Sequence, residues 1–437
     1  MLQNKSTINS FRLFFLVYIV SIITFSILLL LPISHKQKLG ILDAIFISTS
    51  ALSGSGMSTI DILGEFTWTG KIILAVEMQA GGIGILVLIS YLFMMMGKRL
   101  TMGNMLLVSR DQNQGNFKLI RSLSLSVLVI SLLVEGIGCL LMYNDIHQMI
   151  QSTKEAIFVT IFHSISSFTG NGFDLFGTGF ISFQHDSQFL LVTAALIFIG
   201  GLGYPTIVEY LFYFNKRKSL FSRINLKMHS SLLVIGAVLF LALEYNHGFS
   251  HISWIDKLSN AIFFSASSRS AGFVSVDLSQ MTMASLLVLM VLMYIGGASS
   301  SPSGGIRLTT FAVLLAKMKA IIKSEEDTVI GKKAISEEAV NNSILIAIGF
   351  MTLIVVSTIF LALTQTESLE IILLEVVSAV TTTGISLGLT SHLTVLSKIV
   401  LIILMLVGRI GIFTLIYFVF NFEKTKSRYL KEDLPVG

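Results

Sequence analysis

The run "VSAVTTTGISLGLT" (377–390) is small, polar and glycine-bearing, and it lies between two long apolar stretches. Whether the chain repeats it decides the fold. Three other segments resemble it: "SALSGSGMSTID" (50–61), "SSFTGNGFDLF" (166–176) and "SSRSAGFVSVD" (267–277). Aligned on Gly56, Gly172, Gly272 and Gly384, they stand 116, 100 and 112 residues apart in a chain of 437. Ser50, Ser166, Ala266 and Ser378 precede those glycines by six residues, and a bulky apolar residue follows each: Met57, Phe173, Phe273 and Ile385. A second mark lies downstream in the same register, "GGIG" from Gly81, "GGLG" from Gly200, "GGAS" from Gly296 and "GRIG" from Gly408. Two marks in one register identify an internal fourfold repeat.

Composition states the solvent. The chain is 53% hydrophobic and 13% charged, with a mean hydropathy of +0.82. Runs such as 11–33 and 399–420 are long enough to cross a bilayer. The first run is longer than a signal-peptide core and lacks a small-residue cleavage site, so a retained helix is expected. The single cysteine, Cys139, excludes an intramolecular disulfide framework. Basic residues gather in segments 98–121, 216–227 and 317–333, between the repeats, whereas the loops near 143–156 and 244–257 hold one lysine each. The positive-inside rule puts the basic loops and both termini in the cytoplasm. The net charge of +5 thus reflects topology, and no nucleic-acid partner is implied.

Each unit reads as a long apolar helix, a shorter mixed segment (43–53, 155–169, 256–268, 370–381), the small-residue loop, and a second long helix. The mixed segment is too short to cross about 30 Å of hydrocarbon. It must enter and leave on the outer side, and such backbone survives at membrane depth only when buried in protein or lining water. The expectation is an all-α polytopic membrane protein of four helix–pore-loop–helix repeats, with eight transmembrane helices and four re-entrant loops around one pore. The units run 1–110, 111–219, 220–330 and 331–437.

Glycine allows close approach to the main chain. Four loops presenting carbonyls to one axis would replace the hydration shell of a monovalent cation, and the C-terminal ends of the half-helices add partial negative charge. The candidate binding residues are Gly54, Ser55 and Gly56; Gly170, Asn171 and Gly172; Ser270, Ala271 and Gly272; and Thr382, Thr383 and Gly384. Asp61, Asp174 and Asp277 follow three of the loops and read either as a negative outer mouth or as turn caps. The "GGIG"-type glycines read as helix-packing residues. Arg269, inside the third loop, is expected to turn away from the axis and brace backbone carbonyls.

Residues 296–305, "GGASSSPSGG", break the second helix of the third unit. Glycine costs about 1 kcal/mol and proline about 3 kcal/mol relative to alanine inside a helix. The stretch Gly296, Gly297, Ser299, Ser300, Ser301, Pro302, Ser303, Gly304 and Gly305 reads as an intramembrane loop beneath the pore loops, or as a kink. Arg409 lies deep in the last helix, where a charge faces a cavity or partner or snorkels to the interface.

On the four loops and "GGASSSPSGGIRLTTF" (296–311), the chain resembles the Trk/Ktr/HKT superfamily of potassium transporters, and within it the Ktr type. Trk-type members carry an additional helix pair, whereas here the first repeat starts by residue 11. The resemblance implies potassium as the transported ion, the aligned loops as a selectivity filter and 296–305 with Arg409 as a gate. It also implies a homodimer in a bacterial plasma membrane, one pore per protomer, a cytosolic nucleotide-binding ring as regulator, and sodium as a candidate coupling or stimulating ion. No cofactor of the chain itself is implied.

An enzyme is the rival from another class. "GISLG" (384–388) matches the nucleophile-elbow pattern, which needs a strand, a helix, a histidine and an acid around it. It belongs here to a fourfold loop whose other copies lack the full pattern, and no nucleotide or H-E-x-x-H signature occurs. An alternating-access symporter is nearer. Such folds break helices in corresponding positions of two repeats, whereas the sequence marks a break in only one second helix.

Overall fold

The computed structural model describes residues 2–85, 87, 117–177, 179–212 and 217–412. Four long helices open the units: Leu2–Leu29, Phe117–Met149, Leu220–Glu244 and Glu337–Thr364. Among the described residues, Ser126–Met149, Leu220–Glu244 and Glu337–Thr364 are each long and apolar enough to cross a bilayer. Their outward residues are apolar yet exposed, Leu140 at 80% and Leu363 at 81% among them. Such a surface suits hydrocarbon, which is as apolar as leucine itself.

The four pore helices are Ile41–Ser53, Thr153–Phe168, Trp254–Ser267 and Leu369–Thr381, the first three begun two residues and the fourth one residue before the sequence-based start. At 13 to 16 residues and about 1.5 Å of rise per residue, none spans the bilayer. Ser253 caps the third by accepting the N–H of Asp256. The chain then turns through the small-residue loop into the second helices, which begin at Trp68, Ser187, Met283 and Val395.

Packing joins the units in a ring. Each pore helix lies against its own first helix, and each second helix also lies against the next unit's pore helix: Trp68–Ile83 on Thr153–Phe168, Ser187–Gly201 on Trp254–Ser267, and Met283–Tyr294 on Leu369–Thr381. Val395–Ile410 closes the circle on Ile41–Ser53, where Lys398 and Asp43 form a 2.6 Å ion pair.

The second helices depart from expectation. All four are interrupted, not the third alone. Trp68–Ile83 ends at Gly84 (φ 97°), Ser187–Gly201 meets Tyr204–Phe212 at a 98° bend beside Gly203 (φ 77°), and Val395–Ile410 ends at Gly411 (φ 89°). The fourth residue of "GGIG", "GGLG" and "GRIG" is therefore a left-handed break, a conformation that costs other residues about 1–2 kcal/mol. The first glycine of each motif does pack: a Cβ on Gly81, Gly200 or Gly408 would run into carbonyl oxygens of Leu52, Phe168 or Val380 at the end of a pore helix. Among the described residues, the third unit alone unwinds fully, between Met283–Tyr294 and Leu308–Ile322. A two-stranded hairpin, Val329–Ile330 with Lys333–Ala334, sits in the basic segment that follows. The basic segment 98–116, Lys216 and the last helix beyond 412 lie outside the described residues, as does the boundary near 110 between the first two units.

Candidate functional site

The loop backbone is built in the same way four times. The residue before each aligned glycine donates its N–H to the last turn of its pore helix: Ser55 to Ser50, Asn171 to Ser166, Ala271 to Ser267 and Thr383 to Ser378, at 2.8 to 3.0 Å. In the third unit the partner is Ser267 and not Ala266, so that loop is one residue shorter than the alignment on glycines suggests. Two positions of each loop are left-handed. Gly56, Gly172, Gly272 and Gly384 have φ of 75°, 80°, 67° and 93°. Gly54, Gly170, Ser270 and Thr382, two residues earlier, have φ of 77°, 61°, 119° and 50°. Ser55, Asn171, Ala271 and Thr383 between them are not left-handed. Such alternation turns successive carbonyls toward one side of the chain, which an ordinary strand does not do.

The loops meet at those glycines. A Cβ on Gly56 would collide with the carbonyl oxygen of Asn171, one on Gly172 with that of Ala271, one on Gly272 with that of Thr383, and one on Gly384 with that of Ser55. Each loop thus lies against the next, and the fourth returns to the first. Close approach and positive φ both require glycine here. A second tier lies two residues earlier: Gly170 approaches the Ser270 carbonyl, and the Ser270 hydroxyl points to the Thr382 carbonyl at 3.4 Å. Met57, Phe173, Phe273 and Ile385 are buried in the surrounding protein. Behind the second and third loops, Phe273 stacks on Phe180 at 4.3 Å.

All four aligned glycines line one cavity of about 350 Å³, which also takes in Asp174, Asp277, Ser279 and Ser386. The three aspartates cap turns. Asp61 accepts from the N–H groups of Leu63 and Gly64, Asp174 from those of Phe176 and Gly177, and Asp277 from Ser279. The Ser279 N–H and then its hydroxyl hold the Asp277 carboxyl below the usual range. Asp174 and Asp277 face the cavity as well as capping; Asp61 is not in its lining.

The segment 295–307 lies under the loops. Its base is pinned where Gly296 N–H reaches Ile306 O (3.0 Å) and Ile306 N–H reaches Tyr294 O (3.1 Å). The tip is close to the ring: a Cβ on Gly54 would stand 3.5 Å from the Pro302 carbonyl oxygen, and one on Gly304 would stand 2.6 Å from the Thr382 hydroxyl. Ala298 N–H binds Gly201 O at 3.0 Å. Arg409 donates to Ser301 O at 3.4 Å and to Gly81 O, so it joins the segment to the first unit. Sequence reasoning missed a second arginine. Arg307 donates to the carbonyls of Ala298, Ser301 and Ser303. A cation directly before the N-terminus of Leu308–Ile322 opposes that helix's dipole, and this was the available signal that Arg307 answers to something else.

Arg269 is buried behind the third loop, donating to the carbonyls of His229 (2.9 Å) and Ser265 (3.4 Å). Ser386, the serine of the elbow-like pattern, donates to Glu375 at 2.7 Å, a hydroxyl–acid pair without the histidine a nucleophile needs. The buried Glu135 accepts from Gln79 at 2.9 Å, and the half-buried Glu209 accepts from Ser219 and Ser222 at the start of Leu220–Glu244. Among the described residues, no group of three or more His, Cys, Asp or Glu could hold a metal ion.

Comparison with known proteins agrees with this architecture. The family model for TrkH, "Cation transport protein", matches residues 3–427. The chain is 35% identical to Ktr system potassium uptake protein D of Bacillus subtilis, over 98% of this chain and 97% of that one. It is 33% identical to Ktr system potassium uptake protein B of Vibrio alginolyticus, over 98% and 94%. Among solved structures, the potassium transporter TrkH from Vibrio parahaemolyticus superposes with a TM-score of 0.70 at 19% identity, covering 87% of this chain and 78% of that one, which supports the shared fold. The chain belongs to the TrkH family of cation transport proteins, of the Ktr type, and is a membrane transport protein and not an enzyme.

Proposed function

We propose that this chain carries potassium into the cell through a channel-like path down the centre of the four-unit ring. The observation that carries the reading is the closed circle of Gly56, Gly172, Gly272 and Gly384, each against the carbonyl that precedes the next unit's glycine. Carbonyl oxygens in a ring replace the hydration shell of a weakly hydrated cation. The cavity above the ring is the outer mouth, where Asp174 and Asp277 raise the local cation concentration. The relatives named as potassium uptake proteins support potassium as the substrate. Sodium is the candidate stimulating ion in this reading and the candidate coupling ion in the symport reading below; a relative from Enterococcus hirae is named a potassium/sodium uptake protein.

The segment 296–305 is the gate in this reading. It lies below the ring, and Arg409 holds it while placing positive charge beside the path. The basic segments 98–121, 216–227 and 317–333 put the loops between units, with both termini, on the cytoplasmic face of the plasma membrane. There they offer a surface for a cytosolic nucleotide-binding ring, and the transporter works as a homodimer with one pore per protomer. The units divide at about 110, 219 and 330.

One observation favours a second reading. All four second helices break at corresponding places, as in alternating-access symporters. Among the described residues, however, those next to the glycine in the first, second and fourth units are helical again, whereas 295–307 unwinds. Rubidium uptake by potassium-auxotrophic bacteria expressing the chain separates the readings. The channel-like path predicts restored uptake that competing potassium suppresses and that continues without a sodium gradient. Uptake abolished by collapsing the sodium gradient would favour the symporter, and no restored uptake would sink both.

A further inference from the structure

Each pore helix carries one polar side chain that takes a hydrogen bond from the segment rising just beyond its loop. In the first unit, Asp43 Oδ1 accepts from the Thr59 hydroxyl at 2.7 Å. In the third, Asn260 Oδ1 accepts from the Ser275 hydroxyl at 2.6 Å. In the second, His163 Nε2 accepts from the Leu175 N–H at 3.2 Å, which leaves the ring proton on Nδ1. In the fourth, Glu375 accepts from the hydroxyls of Ser386 (2.7 Å) and Thr390.

The positions follow a rule. Counted from Ser50, Ser166, Ser267 and Ser378, whose carbonyls receive the loop N–H groups, Asp43 and Asn260 stand seven residues earlier, and His163 and Glu375 three. The donors Thr59, Leu175 and Ser275 each stand three residues past the aligned glycine, and Ser386 two. Opposite units of the ring therefore share the position of the acceptor, and the two diagonals differ in it. His163, Asn260 and Glu375 are fully buried, and a buried polar side chain on a short apolar helix is a cost unless its bond is made. The bonds tie a rigid helix to the backbone that leaves the ring.

We propose that Asp43, His163, Asn260 and Glu375 are positioning residues that fix how far the ring can widen or narrow, and so set its preference between potassium and a smaller cation. They reach no ion themselves; they act through Thr59, Leu175, Ser275 and Ser386. The inference rests on the ring being the ion path, as proposed above. Because Thr59 and Ser275 brace the same diagonal, losing both bonds frees the ring along one direction while the other diagonal stays held.

The test measures rubidium uptake against competing sodium for Ser275→Ala, Thr59→Val and the double variant, beside the thermal midpoint of each purified protein. Gly384→Ser serves as the control for the path. Each single variant is expected to lower the preference for rubidium over sodium about fivefold, the scale of one buried hydrogen bond. The double variant is expected to lower it further. Ser275→Thr and Thr59→Ser, which keep the hydroxyl, are expected to restore it. An unchanged preference in the single and double variants, with Gly384→Ser impaired, would overturn the bracing role, whether or not the midpoint falls. If Gly384→Ser also transports like the wild type, the ring is not the path and both readings fall.

Discussion

Gly384→Ala is expected to reduce rubidium uptake at low external potassium roughly a hundredfold, while Gly388→Ala, four residues on, leaves it within about threefold. The two glycines make a controlled pair. Their φ angles are 93° and 92°, so alanine meets positive-φ strain at both. Their surroundings differ. A Cβ at Gly384 would run into the Ser55 carbonyl oxygen, whereas one at Gly388 meets nothing within 4 Å. Strain of about 1–2 kcal/mol is common to both. Only Gly384 adds overpacking of about 1–3 kcal/mol, and relief of that overlap must push the first unit's loop out of the ring. Uptake by cells expressing matched amounts of each variant checks this. Equal losses would mean that left-handed strain, and not the contact between loops, is what matters at Gly384.

The second large effect concerns the segment under the ring. Arg409→Ala is expected to raise rubidium flux about tenfold when the chain works alone, because a hydrogen bond from a charged donor contributes about 1.5–3 kcal/mol. Arg409 touches Ser301 O on the segment and Gly81 O on the first unit's second helix. Its loss frees the segment and removes a positive charge from beside the path, and both effects act in the same direction. Arg409→Lys keeps the charge but not the guanidinium fork that reaches two carbonyls, so its flux should fall between the two. Arg307 still holds the carbonyls of Ala298, Ser301 and Ser303, which is why the segment should loosen without unfolding. A flux lower than wild type in Arg409→Ala, at equal protein level, would show that the arginine supports the path and does not restrain it.

The fold was legible because hydrophobic length and a repeated loop are local signals. Pore helices of 13 to 16 residues cannot be mistaken for spans, and the four glycines share one register. The geometry of the candidate site was legible to the same depth: the four loops close on one another at the aligned glycines, and Arg409 reaches Ser301 from the far end of the chain. What stayed hidden depends on partners distant in sequence. Gly84, Gly203 and Gly411 look like the packing glycines beside them, and only the backbone shows that the fourth glycine of each motif breaks the helix while the first packs. Asp43 looks like a first-turn acid at a helix start. That it accepts from both Thr59 and Lys398 can be known only once the first and fourth units meet. Ala266 stands six residues before the third glycine and Ser267 five, and only a one-residue difference in loop length decides which of them the backbone uses.

The central claim is that the ion sits in the ring of loops. The most direct measurement is anomalous diffraction from crystals of the protein grown in rubidium chloride. One dominant peak is expected on the axis of the ring, within coordination distance of the carbonyl oxygens of Ser55, Asn171, Ala271 and Thr383. A protein that transports rubidium but shows its peak away from those carbonyls, or none among them, would contradict it.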